Sequence, residues 1–306
     1  MRYIVSGYIG FDNFGDEAIA SSLVQKLKKE NAEKITLISS NPQKTAKLYD
    51  VNSCGMLKFF IPLLKSDVLI SGGGSLLQDV TSIKSLIYYL IVIYSALILN
   101  KKVEIFAQGI GPINSILGQF LTRHALKRAS KISVRDIHSQ ELLKNWGIDS
   151  ELVQDPVLML DLPHKNQIGT VGVQLRNFQG VNEKFLEKLS KEIKERYSEK
   201  KVEILSLQDS VDLDLCKYFA SKLKAAGMEK VEVISGLNVN EVIDNISNLE
   251  CLIAMRFHAN VIGIKSGIKT LAINYDPKIQ ALAEQYHIPM INLDDEDFSD
   301  KFEKIN

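Results

Sequence analysis

The chain has 306 residues, of which 45% are hydrophobic and 24% are charged, values typical of a folded protein with room for two domains. Its 37 basic and 37 acidic residues cancel, which argues against a nucleic-acid-binding protein that depends on a general basic field. The three cysteines lie far apart with no C-x-x-C pair, which argues against a zinc site or a disulfide framework.

The first element in chain order is a strand at residues 3–6, and the sequence enters it without a signal-peptide pattern. Three unpaired thiols favour a reducing compartment. We therefore expect a cytoplasmic protein.

A glycine-rich turn then leads into a helix that we expect from about residue 17 to residue 30. Its spacing fits neither the P-loop nor the G-x-G-x-x-G dinucleotide motif. Because helix N-terminal amides point outward at such a turn in open α/β sheets, the turn is suited to an anionic ligand. We predict that Gly10, Asn13 and Gly15 bind substrate. Asp16 has two open interpretations, a substrate contact or the cap of this helix.

Further strands are expected at residues 34–38, 67–71, 103–107 and 131–134, with a helix at about 115–129. The second of these strands ends in Gly72, Gly73 and Gly74. Successive glycines let a ligand approach the backbone, and their amides can form an anion nest. We therefore assign the triplet to substrate binding.

Residues 85–100 form an uncharged run rich in Leu, Ile, Tyr and Val. As a helix, sixteen residues are short of the roughly 20 that a membrane span needs. Two interpretations stay open. The segment is a buried core helix, or it turns one apolar face to a membrane surface with Tyr88, Tyr89 and Tyr94 at the headgroup level.

The alternation of strands and helices breaks near residues 155–166, where we expect a linker at about 161–166. It then resumes with strands at 170–175, 202–206, 231–234, 251–254 and 270–273, and helices at 182–197, 212–226, 239–248 and up to about 265. Such alternation predicts parallel sheets covered on both faces. The expected fold class is α/β, with two Rossmann-like domains, 1–160 and 167–306, facing each other across a cleft.

Five side chains near predicted strand ends could carry chemistry: Arg135, Arg176, Arg256, His258 and Lys278. An arginine at a strand's carboxyl end suits a carboxylate or phosphate, because its planar fork matches both. A histidine in the first turn of a helix gains little structurally and suits proton transfer near neutral pH. A solvated surface residue is the alternative interpretation for the arginines and the lysine.

No metal-binding motif is visible, so we expect a site without a metal or a resident cofactor. The remaining set consists of glycine amides, cationic side chains, one histidine and one or two carboxylates. This set fits a small, doubly anionic substrate and one proton transfer.

Seven motifs in order give the chain a resemblance to a known family: GYIG at 7–10, NFGDEA at 13–18, SGGGSLLQD at 71–79, QGIGP at 108–112, SVRD at 133–136 with Ser139, Asp155-Pro156, and RFHA at 256–259. The chain resembles the polysaccharide pyruvyl transferases, in particular the bacterial cell-wall type associated with S-layer anchoring. The likeness reaches over nearly the whole chain.

The resemblance implies a GT-B-like fold, phosphoenolpyruvate as the donor and release of phosphate. It implies a pyruvate ketal on two hydroxyls of an N-acetylhexosamine, on an acceptor that is polyprenyl-diphosphate-linked in the cell-wall branch. Such an acceptor would give residues 85–100 a purpose as a docking surface at the inner face of the plasma membrane.

From this resemblance we assign Arg135 and Lys278 to the donor, with Arg256 as a further cation, His258 as the general acid and Asp16 to the acceptor hydroxyls. Two alternatives stay open. One is a GT-B-type nucleotide-sugar glycosyltransferase, and the other is a non-catalytic carbohydrate- or lipid-binding module.

Overall fold

The computed structural model describes residues 1–80, 82–160, 162 and 168–305. The chain divides into two compact units, Met1–Leu160 and Asp161–Asn306. Most of the linker that we expect at residues 161–166 lies outside the described residues. The two units are described separately below.

The first unit is built on a parallel sheet with the strand order β3-β2-β1-β4-β5-β6-β7. Its elements are β1 (Arg2–Ser6), α1 (Phe14–Lys29), β2 (Lys34–Ser39), α2 (Pro42–Tyr49), β3 (Asn52–Gly55), α3 (Phe60–Leu64), β4 (Val68–Gly72), α4 (Ile83–Ile98), β5 (Lys102–Gln108), α5 (Ile116–Leu126), β6 (Lys131–Val134), α6 (Ile137–Asn145), β7 (Glu151–Leu152) and a 3₁₀ turn (Pro156–Met159).

The second unit has a parallel sheet with the order β10-β9-β8-β11-β12-β13. Its elements are β8 (Ile168–Gln174), α7 (Glu183–Tyr197), β9 (Lys201–Leu205), α8 (Asp209–Ala225), β10 (Val231–Ile234), α9 (Val239–Ser247), β11 (Leu249–Ala254), α10 (Phe257–Lys265), β12 (Lys269–Asn274), α11 (Pro277–Tyr286), β13 (Met290–Asn292), α12 (Ser299–Phe302) and a 3₁₀ turn (Glu303–Ile305).

The central strands of both sheets are apolar because helices cover them. Ile4 of β1 and Leu69 of β4 are fully buried, as are Val171 of β8 and Ile253 of β11. All the strand pairs are parallel, for example β1 with β4 and β8 with β11, so the carboxyl ends of each sheet meet at one edge. The predicted α/β class with two Rossmann-like sheets is confirmed.

The apolar run at 85–100 forms most of α4, and its two faces differ. Tyr89 and Ile93 are buried in the core of the first unit, whereas Ile87 and Ile91 are about half exposed. The three tyrosines differ: Tyr89 is 3% exposed, whereas Tyr88 and Tyr94 are half-buried, and their hydroxyls donate to backbone carbonyls at 3.1 and 2.9 Å. The placement of Tyr89 at a headgroup level is therefore wrong. Within the described part of the chain, no helix is both long and apolar enough to cross a bilayer.

Candidate active site

The β1–α1 turn is shaped by packing around Gly10. Its φ is +84°, and a β-carbon there would lie 2.2 Å from Ser39 Oγ, so only glycine fits. The Gly10 amide donates to Glu17 Oε1 at 2.7 Å. Gly10 thus shapes the turn, and its own amide is already engaged by Glu17.

Glu17 is the buried carboxylate of this turn, with 8% of its surface exposed. The Tyr49 hydroxyl donates to its Oε2. Burial raises the pKa of Glu17, and the hydrogen bonds from Tyr49 and Gly10 oppose that shift.

Helix α1 is capped by Asn13, whose side-chain oxygen accepts from the Gly15 amide at 3.1 Å. The interpretation of Asp16 as the cap is therefore wrong, because Asp16 lies within the first turn of the helix. A β-carbon on Gly74 would lie 2.7 Å from Asp16 Oδ1. The structure thus brings Asp16 against the last glycine of the triplet.

The glycine triplet 72–74 packs closely against neighbouring side chains, so that there is no room for a β-carbon at Gly73. Gly73 and Gly74 have φ values of +62° and +69°, and a β-carbon on Gly73 would lie 1.9 Å from Ile19 Cγ2. The Gly73 amide donates to the Phe106 carbonyl at 2.9 Å, so this amide is not available to the predicted anion nest. Gly72 closes β4.

Arg135 follows β6, and its guanidinium contacts Asp155 and Ser75. Its Nη1 lies 2.9 Å from Asp155 Oδ2, in a pair whose side chains are 14% and 6% exposed, and its Nη2 donates to Ser75 Oγ at 3.4 Å. Gly109 packs against the same serine, since a β-carbon on Gly109 would lie 2.7 Å from Ser75 Oγ. The guanidinium that we predict to hold the donor is therefore anchored by a buried carboxylate and directed toward the loop after β4.

In the second unit, Arg256 is fixed between β8, β11 and α8. Its amide donates to Gln174 Oε1 at 2.7 Å. Its side chain donates to both oxygens of Asp212, from Nε at 2.7 Å and from Nη2 at 3.0 Å, and Nη2 also donates to Gln208 Oε1. Asp212 is fully buried. The charge of Arg256 is thus largely balanced within its own unit.

His258 is the second residue of α10 and is half-buried, as the sequence predicts for the first turn of a helix. Its ring meets Phe257 edge-on at 5.1 Å between centroids. Asn260 holds the turn, because its Nδ2 donates to the carbonyls of Ala254 and Arg256 at 3.0 Å each.

Lys278 and Arg176 also follow strands of the second sheet, and they differ in their partners. Lys278 Nζ lies 3.5 Å from Asp276 Oδ2 and is 46% exposed. Arg176 Nη1 donates to the Tyr275 hydroxyl at 3.0 Å, and its guanidinium carbon lies 5.5 Å from the centre of that ring. Of the four predicted cations, Arg176 is the one without a carboxylate in ion-pair contact among the described residues.

The sequence interpretation assigned no role to Asp155, Asp212, Gln174 or Tyr275, which hold the predicted side chains. Asp155 belongs to one of the seven motifs, and Tyr275 follows a predicted strand. The sequence therefore contained a signal by which both residues could have been predicted. Asp212 lies on a helix far along the chain from Arg256, and no local pattern indicates it. Within the described residues no group of three or more His, Cys, Asp or Glu is arranged to hold a metal ion; the absence of a cofactor stays a prediction.

Comparison with known structures supports the fold. UDP-GlcNAc 2-epimerase from Methanocaldococcus jannaschii matches with a TM-score of 0.66 at 12% identity, covering 100% of this chain and 91% of that one. The Neisseria meningitidis UDP-GlcNAc 2-epimerase bound to UDP-GlcNAc matches at 0.63 and 11%, covering 100% and 89%. The Escherichia coli ADP-heptose LPS heptosyltransferase II matches at 0.58 and 11%, covering 100% and 98%. These neighbours have the GT-B fold, so the GT-B-like prediction is confirmed.

No curated protein matches the chain significantly. A family model described as polysaccharide pyruvyl transferase matches residues 13–277, which reach from the cap of α1 in the first unit to the start of α11 in the second.

Proposed function

Because this chain belongs to the polysaccharide pyruvyl transferase family, an enzyme family, we propose that it takes the pyruvyl group from phosphoenolpyruvate and forms a ketal on an N-acetylhexosamine of a lipid-linked cell-wall glycan precursor. The family match over residues 13–277 carries this proposal. It also argues against the alternative of a non-catalytic binding module.

The reaction sets the chemical demands on the site. A sugar hydroxyl attacks C2 of the donor and loses its proton, while C3 takes up a proton and becomes a methyl group. The C2–O bond to phosphate then breaks, inorganic phosphate leaves, and a second sugar hydroxyl attacks C2 and loses its proton to close the ketal. The donor carries a carboxylate and a phosphate, so the site needs at least two cationic contacts.

Our candidates for contacting the donor's two anionic groups are Arg135, Lys278 and Arg176. Arg176 is a stronger candidate because its described side-chain partner is the neutral hydroxyl of Tyr275 at 3.0 Å. Its positive charge is therefore not neutralised by that partner. Arg256 is a weaker candidate than the sequence indicated, because Asp212 takes two of its donor groups. Charge-assisted hydrogen bonds contribute about 1.5–3 kcal/mol each.

We assign the proton that reaches C3 to His258. The first turn of α10 and the two bonds from Asn260 give its backbone a fixed position, which supports a group that must deliver a proton along one direction. Asp16 is our candidate for contacting the acceptor hydroxyls, because it lies beside Gly74 at the carboxyl edge of the first sheet.

A donor-binding experiment tests the proposal and separates it from a nucleotide-sugar glycosyltransferase. A ligand that binds the folded state raises the melting temperature, and the stabilisation grows with the logarithm of its concentration divided by its Kd. We expect phosphoenolpyruvate to raise it and UDP-sugars to leave it unchanged. Turnover is then measured as phosphate release with a panel of lipid-linked and soluble N-acetylhexosamine acceptors. Stabilisation by a UDP-sugar alone, or no phosphate release with any acceptor, would contradict the proposal.

A further inference from the structure

Three neighbouring helices of the first unit carry apolar side chains on their outer surfaces. We use the name α3–α5 face for the exposed side chains of Leu57, Phe60, Ile61, Leu64, Ile83, Ile87, Ile91, Ile98, Ile116, Leu117 and Phe120, which are 46–91% exposed. On α4, Ile83, Ile87 and Ile91 recur at intervals of four residues, so they form one stripe along the helix. Contiguous exposed apolar surfaces of this kind mark interaction sites rather than ordinary solvent-facing surface.

The three helices form one layer because their inner faces share one core. Leu63 of α3, Leu90 of α4 and Ala125 of α5 belong to the same buried cluster. Tyr88 of α4 donates to the Met56 carbonyl just before α3 at 3.1 Å, and Tyr94 donates to the Leu121 carbonyl of α5 at 2.9 Å. The exposed stripes are therefore held at fixed positions beside one another.

The three chain segments that form this face carry charge of one sign. Residues 56–66, 80–102 and 113–130 contain eight lysines and arginines and no aspartate or glutamate. Seven of these cations are exposed, namely Lys58, Lys65, Lys84, Lys102, Arg123, Lys127 and Arg128. None of the seven belongs to an ion pair between described residues.

Two carboxylates flank the face in sequence, and each has partners of its own. Asp67 pairs with Arg2 at 2.6 Å. Asp79 accepts from the amides of Asn114 and Ser115 at 2.8 Å each, and these bonds lower its pKa. The segments that form the face therefore combine exposed apolar side chains with exposed cations and contain no carboxylate of their own.

We propose that the α3–α5 face docks onto the surface of an anionic phospholipid bilayer. Apolar side chains entering the headgroup region, with lysine and arginine facing anionic lipids, are the two contributions that hold proteins at such interfaces. A second copy of this chain is a poor occupant. In a two-fold interface the same patch meets itself, so these cations would approach one another without a carboxylate between them.

The orientation of the helices gives the docking a use that depends on the proposed lipid-linked acceptor. Helix α4 follows β4 through the glycine triplet, and α5 follows β5 through residues 109–115. Both helices therefore begin at the sheet edge that carries Asp16 and Arg135. A bilayer on the α3–α5 face would bring a membrane-held sugar acceptor toward that edge.

Vesicle sedimentation tests the docking. We expect the full chain to sediment with mixed phosphatidylcholine–phosphatidylglycerol vesicles and to stay in solution with pure phosphatidylcholine vesicles. The variant Ile87→Ser/Phe120→Ser should lose most of this binding. Leu152→Ser is the matched control, because Leu152 is 45% exposed on β7 outside the face, and it should bind as the unmodified chain does. Equal losses in both variants would overturn the proposal.

Charge reversal tests the exposed cations separately. Each cation near an anionic surface contributes about 1 kcal/mol, so Lys127→Glu/Arg128→Glu should lower the vesicle partition coefficient at least ~10-fold. The control Lys191→Glu changes a lysine of α7 that is 70% exposed and should have little effect. Raising the salt concentration should weaken binding of the unmodified chain, and binding that ignores both charge and salt would contradict the inference.

Two further measurements distinguish other outcomes. Light scattering without vesicles should give a monomer mass, and a dimer that Phe120→Ser dissociates would assign the face to a second copy instead. Phosphate release with a soluble acceptor should be unchanged in Ile87→Ser/Phe120→Ser. If the unmodified chain shows phosphate release but no vesicle binding, the docking inference fails while the proposed reaction stands.

Discussion

Arg256 and Asp212 form a two-pronged ion pair inside the second unit, with Nε to Oδ2 at 2.7 Å and Nη2 to Oδ1 at 3.0 Å. Asp212 is fully buried and the Arg256 side chain is 11% exposed. An arginine at a strand's carboxyl end is therefore fixed by its own unit before any ligand binds. This pairing decides which cations remain for a doubly anionic donor.

We expect Arg256→Ala to destabilise the protein by about 3–5 kcal/mol, because it leaves the buried Asp212 carboxylate without its counter-charge. Calorimetry of thermal unfolding measures this loss. The double variant Arg256→Met/Asp212→Leu should recover much of the stability, since it removes both charges. An Arg256→Ala protein as stable as the unmodified one would show that the pair does not hold this loop.

We expect Arg176→Ala to weaken binding of phosphoenolpyruvate by about 10–100-fold, the loss of one or two charge-assisted hydrogen bonds, with little change in melting temperature. Isothermal titration measures the affinity. Arg176→Lys keeps the charge without the planar fork and should recover only part of the binding. An unchanged affinity in Arg176→Ala would remove this side chain from the donor site.

His258→Ala should lower kcat by ~10²–10⁴-fold while the affinity for phosphoenolpyruvate stays nearly unchanged, because a general acid acts in the transition state. Phosphate release and donor titration measure the two quantities. His138→Ala is the control, since His138 is an exposed residue of α6. Near-normal turnover in His258→Ala would remove the imidazole from the chemistry.

Gly73→Ala should lower the free energy of unfolding by more than the positive φ of this residue alone explains. An alanine at such a φ costs about 1–2 kcal/mol, and the contact with Ile19 adds overpacking of about 1–3 kcal/mol. Gly147 is a matched control, because its φ is +66° but a β-carbon there would meet nothing within 4 Å. Urea unfolding of Gly73→Ala and Gly147→Ala compares the two, and equal losses would contradict the steric argument.

The stability of the chain should fall with rising pH through the titration of Glu17. Its pKa is raised in the folded state, so the folded state binds more protons than the unfolded state once the pH exceeds the ordinary value of 4.5. Between that pH and the raised pKa, the free energy of unfolding therefore falls with rising pH, by at most about 1.4 kcal/mol per pH unit for one group.

Melting temperatures from pH 4 to 8, read against Glu17→Gln, measure this contribution. The glutamine is neutral at every pH, so we expect the unmodified chain to be relatively most stable at the acidic end and to lose ground as the pH rises. A difference that does not vary with pH, or that grows in favour of the unmodified chain, would contradict the raised pKa.

The sequence predicted the elements where an apolar strand leads directly into an amphipathic helix. The strands at 131–134 and 231–234 have the predicted bounds, and α7 begins one residue after the predicted start. Elements without a strong apolar pattern were missed, among them β3, which is the polar sequence Asn52–Gly55 at the edge of its sheet.

The sequence predicted the candidate site residues but not the residues that hold them in place. Arg135 and His258 lie where strand ends and helix starts placed them, because those positions follow from local sequence. Their supporting residues depend on packing: Asp212 meets Arg256 across 44 residues of sequence, and Tyr275 meets Arg176 across 99. Contacts of that separation leave no periodic signal in a single chain.

The Arg135–Asp155 pair has a consequence for work on the first unit in isolation. Asp155 stands just before the 3₁₀ turn Pro156–Met159, and the Pro156 carbonyl accepts from Ser22 Oγ of α1 at 2.6 Å. A fragment cut after the last strand, at residue 152, would lose both the counter-ion of Arg135 and the segment that holds α1. Expression of that unit alone therefore needs a fragment that continues through Leu160.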